Sequence, residues 1–424
     1  MDLQITPSTV YGTVNVPPSK SLSHRALICA ALASGTSRLD NLGRSRDISA
    51  TRNCLQALGA SFSYEEGSLL VTGCDPAALK KPVTLDANES GSTLRFLIPV
   101  AASGQEEVTF LGKPSLLSRP LGIYENIFVE QNLPFEQSGQ GLHFHGPLQG
   151  GLFTLNGDIS SQFISGLLMA APLLGGLELT ILPPYQSRSY VDLTVDMMKK
   201  FGVAAEQPTD EAYRIEPDAR FESCDVTVES DWSQAAFFMV LAMLKSRLTL
   251  KGLAKDSLQG DAIIASMVEQ AGGKLIWNDG MLSVLPHLRT PFVFDLANCP
   301  DLGPILCTLA AFIPGTSQLV HASRLRYKEC DRIAAMEEEL GKWGVVISSD
   351  EDSITITGKE NYSMPHPVEI DGHNDHRIVM AMAVFGLCAD TPSIIHGAQA
   401  IEKSYPDFFA DLAAIHAGIQ EVQA

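Results

Sequence analysis

An internal repeat of about 70 residues runs along the whole chain and is the feature that most restricts its fold. Six apolar helices are predicted to begin at corresponding points of this repeat. Their predicted starts are Ser21, Gly91, Ser161, Asp231, Asp301 and Asp375. Successive starts are separated by 70, 70, 70, 70 and 74 residues. Because each segment is apolar on nearly every face, we expect these helices to be buried.

A second pattern recurs with the same period. An amphipathic helix ends at a glycine turn and is followed by two strands, as in 55–72, 267–285 and 340–357. Each unit therefore reads strand, buried helix, strand, amphipathic helix, strand, strand. The last unit lacks its final hairpin, whereas Met1–Val16 contains a hairpin with no unit before it. We therefore predict that the N-terminal hairpin completes the sixth unit.

Two domains are predicted, because 424 residues exceed what one ordinary core accommodates. Three units per domain assign residues 17–229 to the first domain. Residues 1–16 and 230–424 form the second. The predicted fold class is α/β: an inside-out α/β barrel in each domain, with three βαβαββ repeats around a pseudo-threefold axis.

Composition narrows the classes of function. The chain is 45% hydrophobic and 19% charged, as in folded globular proteins, and no apolar run reaches the roughly 18 residues of a membrane span. Met1–Pro7 resembles no signal peptide, and the eight cysteines show no metal-like spacing, so a cytoplasmic location with reduced thiols is expected. A net charge of −19 argues against nucleic acid or an anionic membrane as partner. With no interface signal in the sequence, a monomer is the default expectation.

Cations gather at the predicted helix starts and in the loops beside them. Ten of the 30 Lys and Arg residues lie there: Lys20, Arg25, Arg95, Arg119, Arg188, Arg326, Lys328, Arg332, Arg377 and Lys403. Unpaired N–H groups and the helix dipole make a helix start attractive to anions. For the helix that follows Pro18, Ser21 or Ser23 is the predicted N-cap. The pattern predicts a site for phosphate or carboxylate groups.

Other side chains near the cations suit a hydroxylated ligand and proton transfer. Ser160, Ser161, Gln162, Ser187 and Tyr190 could donate hydrogen bonds to a small polyol. Two carboxylates, Asp301 and Glu329, lie among cations that would keep them ionised, and His376 is a further candidate. No Gly-x-Gly-x-x-Gly, Walker or His-x-x-x-His motif is present, so no nucleotide, cofactor or metal is expected.

Seven motifs follow one another along the chain: Pro18-Ser-Lys-Ser-Leu-Ser-His-Arg25, Glu89-Ser-Gly-Ser-Thr-Leu-Arg95, Arg119-Pro120, Ser160-Ser-Gln162, Arg326-Tyr-Lys-Glu-Cys-Asp-Arg332, Asp375-His-Arg377 and Lys403-Ser-Tyr-Pro-Asp407. With these motifs in this order, the sequence resembles the EPSP synthase family, the 3-phosphoshikimate 1-carboxyvinyltransferases among the enolpyruvyl transferases, along nearly its full length. In that family the fold is two domains of three βαβαββ units each. The resemblance implies two substrates, shikimate 3-phosphate and phosphoenolpyruvate, bound in the interdomain cleft.

The resemblance also implies a role for each matching residue. The implied phosphoenolpyruvate set is Lys20, Gly91, Arg119, Gln162, Arg332, Arg377 and Lys403. The implied shikimate 3-phosphate set is Lys20, Ser21, Arg25, Ser160, Ser161, Gln162, Ser187, Tyr190, Asp301 and Lys328. The implied proton-transfer groups are Asp301, Glu329 and Lys20, without an assignment of each proton. The implied reaction passes through a tetrahedral adduct that eliminates phosphate, in the shikimate pathway to aromatic amino acids, and glyphosate is an implied inhibitor.

The sequence departs from the family pattern at two places, and its residues disfavour three rival functions. His24 stands where Asn is more frequent, and Glu89 lies in a loop that usually reads Gly-Asn-Ala. The enolpyruvyl transferases that act on UDP-N-acetylglucosamine use a cysteine in the loop that corresponds to Gly112–Pro120, where this chain has none. An RNA 3′-phosphate cyclase requires a basic nucleic-acid face. A non-catalytic anion-binding protein is disfavoured by the presence of both Asp301 and Glu329.

Overall fold

The computed structural model describes residues 1–104 and 106–422. Two compact units divide the chain: the first is Pro18–Glu229, and the second combines Met1–Pro17 with Ser230–Ala424. Each unit has its own continuous hydrophobic core. In the described ranges, no helix is long and apolar enough to cross a membrane.

The chain begins with two strands of the second unit, β1 (Leu3–Thr6) and β2 (Gly12–Asn15), before it enters the first unit. The elements of the first unit follow in order: α1 (Lys20–Leu32), β3 (Thr36–Asp40), α2 (Arg46–Ala57), β4 (Ser61–Glu65), β5 (Ser68–Thr72), β6 (Val83–Asp86), α3 (Gly91–Ala101), β7 (Glu107–Leu111), α4 (Pro114–Leu117), α5 (Gly122–Glu130), β8 (Phe135–Gln137), β9 (Leu142–His145), β10 (Gly151–Asn156), α6 (Ser161–Leu174), β11 (Leu177–Leu182), α7 (Arg188–Lys200), β12 (Glu206–Thr209), β13 (Ala212–Ile215) and β14 (Val226–Thr227).

The remaining elements belong to the second unit. They are α8 (Trp232–Leu244), β15 (Leu248–Lys251), α9 (Ile264–Gln270), β16 (Lys274–Asn278), β17 (Met281–Leu285), β18 (Val293–Asp295), α10 (Gly303–Ala311), β19 (Gly315–Val320), α11 (Arg332–Gly341), β20 (Val346–Ser349), β21 (Ser353–Gly358), β22 (Val368–Asp371), α12 (His376–Cys388), β23 (Ser393–His396), α13 (Phe408–Ala414) and β24 (Gly418–Glu421). Short 3₁₀ turns at Pro300–Leu302, Ser323–Tyr327 and Ala398–Lys403 carry site residues.

Six four-stranded sheets, counted over the described residues, confirm the predicted repeat. In the first unit the strand orders are β14-β3-β5-β4, β6-β7-β9-β8 and β10-β11-β13-β12. In the second unit they are β22-β23-β1-β24, β16-β17-β15-β2 and β18-β19-β21-β20. Every sheet contains one parallel pair followed by antiparallel partners, as a βαβαββ unit requires.

The prediction for the N-terminal hairpin is wrong in part. Strand β1 lies between β23 and β24 and completes the sixth sheet. Strand β2 pairs instead with β15 in a parallel register, Gly12 opposite Leu248, in another sheet of the same unit. The two strands therefore form no hairpin. A glycine- and proline-based turn pattern could not reveal this, because pairing between distant strands depends on tertiary packing.

The six apolar helices are buried on nearly all sides, as their composition predicts. They are α1, α3, α6, α8, α10 and α12. Side-chain oxygens of Ser90, Ser160, Asp231 and Asp375 cap four of them by accepting first-turn N–H groups. The cap of α1 is Ser19 rather than Ser21 or Ser23, and its Oγ accepts the N–H of Leu22. Lys20 and Ser21 are therefore first-turn residues.

Close packing of α3 against α6 depends on Gly166. A methyl group there would lie 2.6 Å from the backbone oxygen of Arg95 and 2.5 Å from the hydroxyl of Tyr124. We predict that Gly166→Ala lowers the free energy of unfolding by about 1–3 kcal/mol, because backbone must move to relieve the overlap. Urea denaturation measures this. Gly122→Ala is the control, since no described heavy atom lies within 4 Å of the new methyl group, and an equal loss there would contradict the prediction.

His396 joins strand β1 to its sheet through two carboxylates. Its Nδ1 lies 2.9 Å from Oδ2 of Asp2, and its Nε2 lies 2.5 Å from Oε2 of Glu369 on β22. Hydrogen bonds to Asp2 and Glu369 raise the pKa of His396. The imidazolium is needed for both contacts, since a neutral ring has only one N–H.

We predict that this contact makes stability depend on pH. Its contribution is fully present below the unfolded histidine pKa of about 6.5, and it is lost as pH rises through the raised folded pKa. Urea midpoints of the wild type and of His396→Gln should therefore converge as pH increases from about 6 to about 9. A constant difference between the two proteins over that range would refute the prediction.

Candidate active site

The start of α1 carries Lys20 and Ser21 in the first unit. Lys20 Nζ lies 3.2 Å from Oδ2 of Asp47, which belongs to the first turn of α2. Only 18% of the Lys20 side chain and 11% of the Asp47 side chain are exposed. The ion pair therefore holds the lysine beside the helix start, where unpaired N–H groups favour an anion.

Arg25 is buried among neutral acceptors. Its Nε donates to Thr194 Oγ1 at 2.7 Å, and Nη2 donates to the backbone oxygen of Tyr190 at 2.7 Å. Nη1 donates to the backbone oxygen of Ser21 at 2.7 Å, and the guanidinium lies over the ring of Phe96. Burial lowers the pKa of Arg25 to about 10, so the group remains charged at neutral pH. Because these partners are neutral, its charge favours a nearby anion.

Gly91 and Gln162 lie in the first turns of α3 and α6, and the side chain of Arg119, which follows α4, extends to the same place. A methyl group on Gly91 would lie 2.9 Å from Nη1 of Arg119 and 3.7 Å from Oε1 of Gln162. Gln162 Oε1 accepts Nη1 of Arg95 at 2.8 Å, while its Nε2 donates to Ser92 Oγ at 2.9 Å. In the described part of the chain, the buried Nε of Arg119 has no hydrogen-bond partner. The Nε–H group of Arg119 is therefore a donor that a ligand beside the backbone of Gly91 could use.

The remaining predicted residues of the first unit occupy two helix starts. Ser160 caps α6 by accepting the N–H of Gln162 at 3.3 Å, and Ser161 is the first residue of that helix. Ser187 precedes α7 in the left-handed conformation, with φ of 53°. Tyr190 lies in the first turn of α7, where its backbone oxygen accepts from Arg25. α1 and α7 thus share a hydrogen-bonded junction.

A buried chain of hydrogen-bonded side chains, which sequence analysis missed, links helices α1, α2 and α3. His24 Nδ1 lies 2.7 Å from Thr51 Oγ1, which lies 2.7 Å from Thr93 Oγ1. Thr93 in turn donates to Ser90 Oγ, the cap of α3. Burial, followed by the charges of Lys20 and Arg25, lowers the pKa of His24 well below its usual value. The imidazole is therefore neutral, and it links α1, α2 and α3 without adding charge.

In the second unit, Asp301 is held by three cations. Its Oδ1 lies 3.1 Å from Lys328 Nζ and 3.0 Å from Arg332 Nη1. Its Oδ2 lies 3.1 Å from Arg377 Nη2. Burial alone would raise the pKa of Asp301, but the charges of Arg377, Lys328 and Arg332 outweigh it and hold that pKa well below the usual range. The carboxylate is ionised at neutral pH.

Arg332 is the centre of this cluster. Its guanidinium contacts Asp301, Glu329 and Asp375 at 3.0, 2.7 and 2.8 Å, and only 1% of the side chain is exposed. Burial lowers the pKa of Arg332, but the three carboxylates, led by Asp375, raise it well above the usual value. The group is therefore a permanent cation.

Arg377 and Lys403 complete the predicted set in this unit. Arg377 Nη2 donates to Ser233 Oγ at 2.8 Å, and its Nη1 donates to the backbone oxygen of Asp301 at 3.2 Å. Lys403 Nζ donates to the backbone oxygen of Asn374 at 2.6 Å, immediately before the cap of α12. Every predicted site residue of the second unit thus lies within one hydrogen-bonded network or directly beside it.

Three residues that sequence analysis singled out, Arg188, Arg326 and His376, make none of the contacts described above for the two groups of site residues. Arg188 pairs with Asp192 and Asp210, and Arg326 pairs with Asp331, so neither joins the contacts described above. His376 is buried on α12. Sequence analysis gave Asp375 no role in the site, although its carboxylate contacts Arg332 directly. Its position at the predicted start of α12 is the sequence feature that could have indicated such a role.

These features define an α/β protein of two threefold-repeated units, in which cations surround the starts of buried helices. Comparison with known proteins places it more closely. The profile of the family described as "EPSP synthase (3-phosphoshikimate 1-carboxyvinyltransferase)" matches residues 5–412. The chain belongs to the EPSP synthase family.

Relatives agree over the full length. A 3-phosphoshikimate 1-carboxyvinyltransferase of Clostridium kluyveri is 40% identical over 422 residues, which cover 99% of this chain and 98% of the relative. One from Clostridium novyi is 40% identical over 432 residues, with the same coverage. Among solved structures, EPSP synthase from Acinetobacter baumannii has a TM-score of 0.81 at 25% identity and covers 100% of both chains.

The geometry at Gly91 generates a prediction about ligand binding. We expect Gly91→Ala to weaken phosphoenolpyruvate and its analogue glyphosate by about tenfold or more, because the new methyl group displaces Arg119 and narrows the backbone approach. Shikimate 3-phosphate should be affected less. Calorimetric titration with each of the three ligands measures the effect. Equal losses for all three ligands would contradict the prediction.

Proposed function

We propose that this chain transfers the enolpyruvyl group of phosphoenolpyruvate to the 5-hydroxyl of shikimate 3-phosphate, the reaction for which its family is named. The products are 5-enolpyruvylshikimate 3-phosphate and phosphate. The observation that carries the proposal is the gathering of Lys328, Arg332 and Arg377 around Asp301 in a chain of net charge −19. Such a site combines binding of anions with an ionised carboxylate for proton transfer.

Phosphoenolpyruvate is assigned to cations and donors from both units. In the first unit these are Lys20, Gly91, Arg119 and Gln162, and support comes from the unpartnered Nε of Arg119 beside Gly91. In the second unit they are Arg332, Arg377 and Lys403. Cations aimed at phosphate and carboxylate would offset the repulsion between two anionic substrates.

Shikimate 3-phosphate is assigned mainly to the first unit. Its proposed ligands there are Lys20, Ser21, Arg25, Ser160, Ser161, Gln162, Ser187 and Tyr190. Those of the second unit are Asp301 and Lys328. The neutral partners of Arg25 support this assignment, because they leave a buried positive charge for the substrate to balance.

The reaction consists of an addition and an elimination. In the addition, the 5-hydroxyl loses its proton and its oxygen bonds to the phosphate-bearing carbon, while the methylene carbon gains a proton. In the elimination, the former methylene carbon loses a proton, phosphate leaves the neighbouring carbon, and the double bond between the two carbons re-forms. Asp301, Glu329 and Lys20 are the proposed proton-transfer groups. The low pKa of Asp301 keeps its carboxylate ionised, so that it can accept a hydrogen bond from a substrate hydroxyl. Which group moves each proton stays open.

Further properties follow from the family and the composition. We infer a cytoplasmic, monomeric enzyme of the shikimate pathway that needs no cofactor or metal and is inhibited by glyphosate. Nucleic acid and anionic membranes are not proposed partners, since a net charge of −19 would be repelled by both.

Phosphate release tests the proposed reaction. Release should require both shikimate 3-phosphate and phosphoenolpyruvate, each omitted in turn, and should not occur when UDP-N-acetylglucosamine replaces the acceptor. No release, with both ligands still raising the melting temperature, would indicate a binding protein instead. A rise in melting temperature with an oligonucleotide, but with neither small ligand, would favour the RNA 3′-phosphate cyclase alternative.

Asp301→Asn is the sharpest variant for the chemistry. We expect kcat to fall by about 10²-fold or more, because the amide cannot accept a proton. The matched control is Asp295→Asn, which removes an exposed carboxylate that pairs with His321. A comparable loss in both variants, or in neither, would exclude Asp301 from proton transfer.

A further inference from the structure

Three carboxylates contact Arg332, and Asp375 differs from the other two. Asp375 is fully buried, whereas 24% of the Asp301 side chain and 20% of the Glu329 side chain are exposed. Both oxygens of Asp375 are used: Oδ2 accepts Nε of Arg332 at 2.8 Å and Oδ1 accepts Nη2 at 3.3 Å. Asp301 and Glu329 each contribute one oxygen to this guanidinium. A bidentate contact defines the plane and direction of a guanidinium, which a single contact does not.

The same carboxylate controls the start of α12. Asp375 is the N-cap, and its Oδ1 accepts the N–H of Arg377 at 2.8 Å. Arg377 then reaches Asp301 and Ser233 with its own guanidinium. One buried side chain therefore fixes the guanidinium of Arg332 and the backbone from which Arg377 extends.

The charge balance shows which contacts can be exchanged for a ligand. Arg332 faces three carboxylates, so an incoming anion gains its full attraction only if one of them withdraws. Glu329 and Asp301 hold Arg332 by single contacts and are partly exposed, whereas Asp375 has no exposed surface. An incoming anion would therefore replace the single contact of Glu329 or Asp301, while the two contacts of Asp375 would remain.

We propose that Asp375 is a positioning residue that holds Arg332 and Arg377 in one fixed arrangement for the carboxylate or phosphate of phosphoenolpyruvate. The inference rests on the proposed function of this cluster. It assigns Asp375 no contact with substrate and no proton transfer; its effect passes through the two arginines.

Asp375→Asn is the test variant. Its amide oxygen still caps α12, but the negative charge that Asp375 places beside Arg332 is removed. The matched control is Asp331→Asn. Asp331 caps α11, the helix that begins at Arg332, but its own ion pair is with Arg326 and not with Arg332. We expect kcat/KM for phosphoenolpyruvate to fall by about 10²-fold in Asp375→Asn, with KM for shikimate 3-phosphate changed by less than about threefold. Asp331→Asn should stay near the wild-type values.

A double-mutant cycle separates positioning from general damage. If Asp375 acts through Arg332, adding Asp375→Asn to Arg332→Gln should cost little further activity. Losses that multiply in the double variant would overturn the inference. So would equal rises in KM for both substrates, or equal losses in Asp375→Asn and Asp331→Asn.

Calorimetric titration with phosphoenolpyruvate distinguishes failure of this inference from failure of the proposed function. If the wild type binds phosphoenolpyruvate but releases no phosphate, the proposed reaction is wrong, and weaker binding by Asp375→Asn still supports positioning. If wild type and variant bind with equal affinity, the positioning role is wrong. If the wild type does not bind phosphoenolpyruvate, both are wrong.

Discussion

Burial of a helix start is the constraint on which the rest of this structure depends. The first N–H groups of an α-helix have no partner inside the helix, and a buried end must satisfy them. Ser19, Ser90, Ser160, Asp231 and Asp375 do so with side-chain oxygens. Each cap satisfies only part of the first turn, so positive potential remains at the helix start. The repeat thus places a capped, anion-attracting start on five of the six apolar helices, whereas α10 begins without a side-chain cap from any described residue.

The two units use their cations differently. In the first, Arg25 is surrounded by hydroxyl and carbonyl oxygens, while Lys20 has the single carboxylate of Asp47 beside it. In the second, Asp301, Glu329 and Asp375 compensate the cations internally. Uncompensated charge favours tight binding of an anion, whereas an ion-pair network can exchange one carboxylate for another. The two units therefore differ in the local electrostatics around their buried arginines.

Much of the architecture was predictable because it is periodic. Apolar helices and glycine turns repeat along the chain, and local pattern is what a sequence displays directly. The separation of β1 from β2 was not predictable, since both strands alternate in the same way and differ only in their distant partners, β23 with β24 and β15. The cap of α1 was misplaced by two residues or more because the segment contains Ser19, Ser21 and Ser23, each with a suitable side chain.

The sequence by itself determined the sixfold repeat, the burial of its apolar helices and the cations that accompany their starts. These properties depend on residue type and spacing along the chain. Only the tertiary structure decided which charges meet: Arg332 and Asp375 are 43 residues apart, and packing of α11 beside α12 brings them to 2.8 Å. It likewise decided that Arg25 is buried against Thr194, 169 residues away. Partners of a buried charge are selected by packing, which no local pattern encodes.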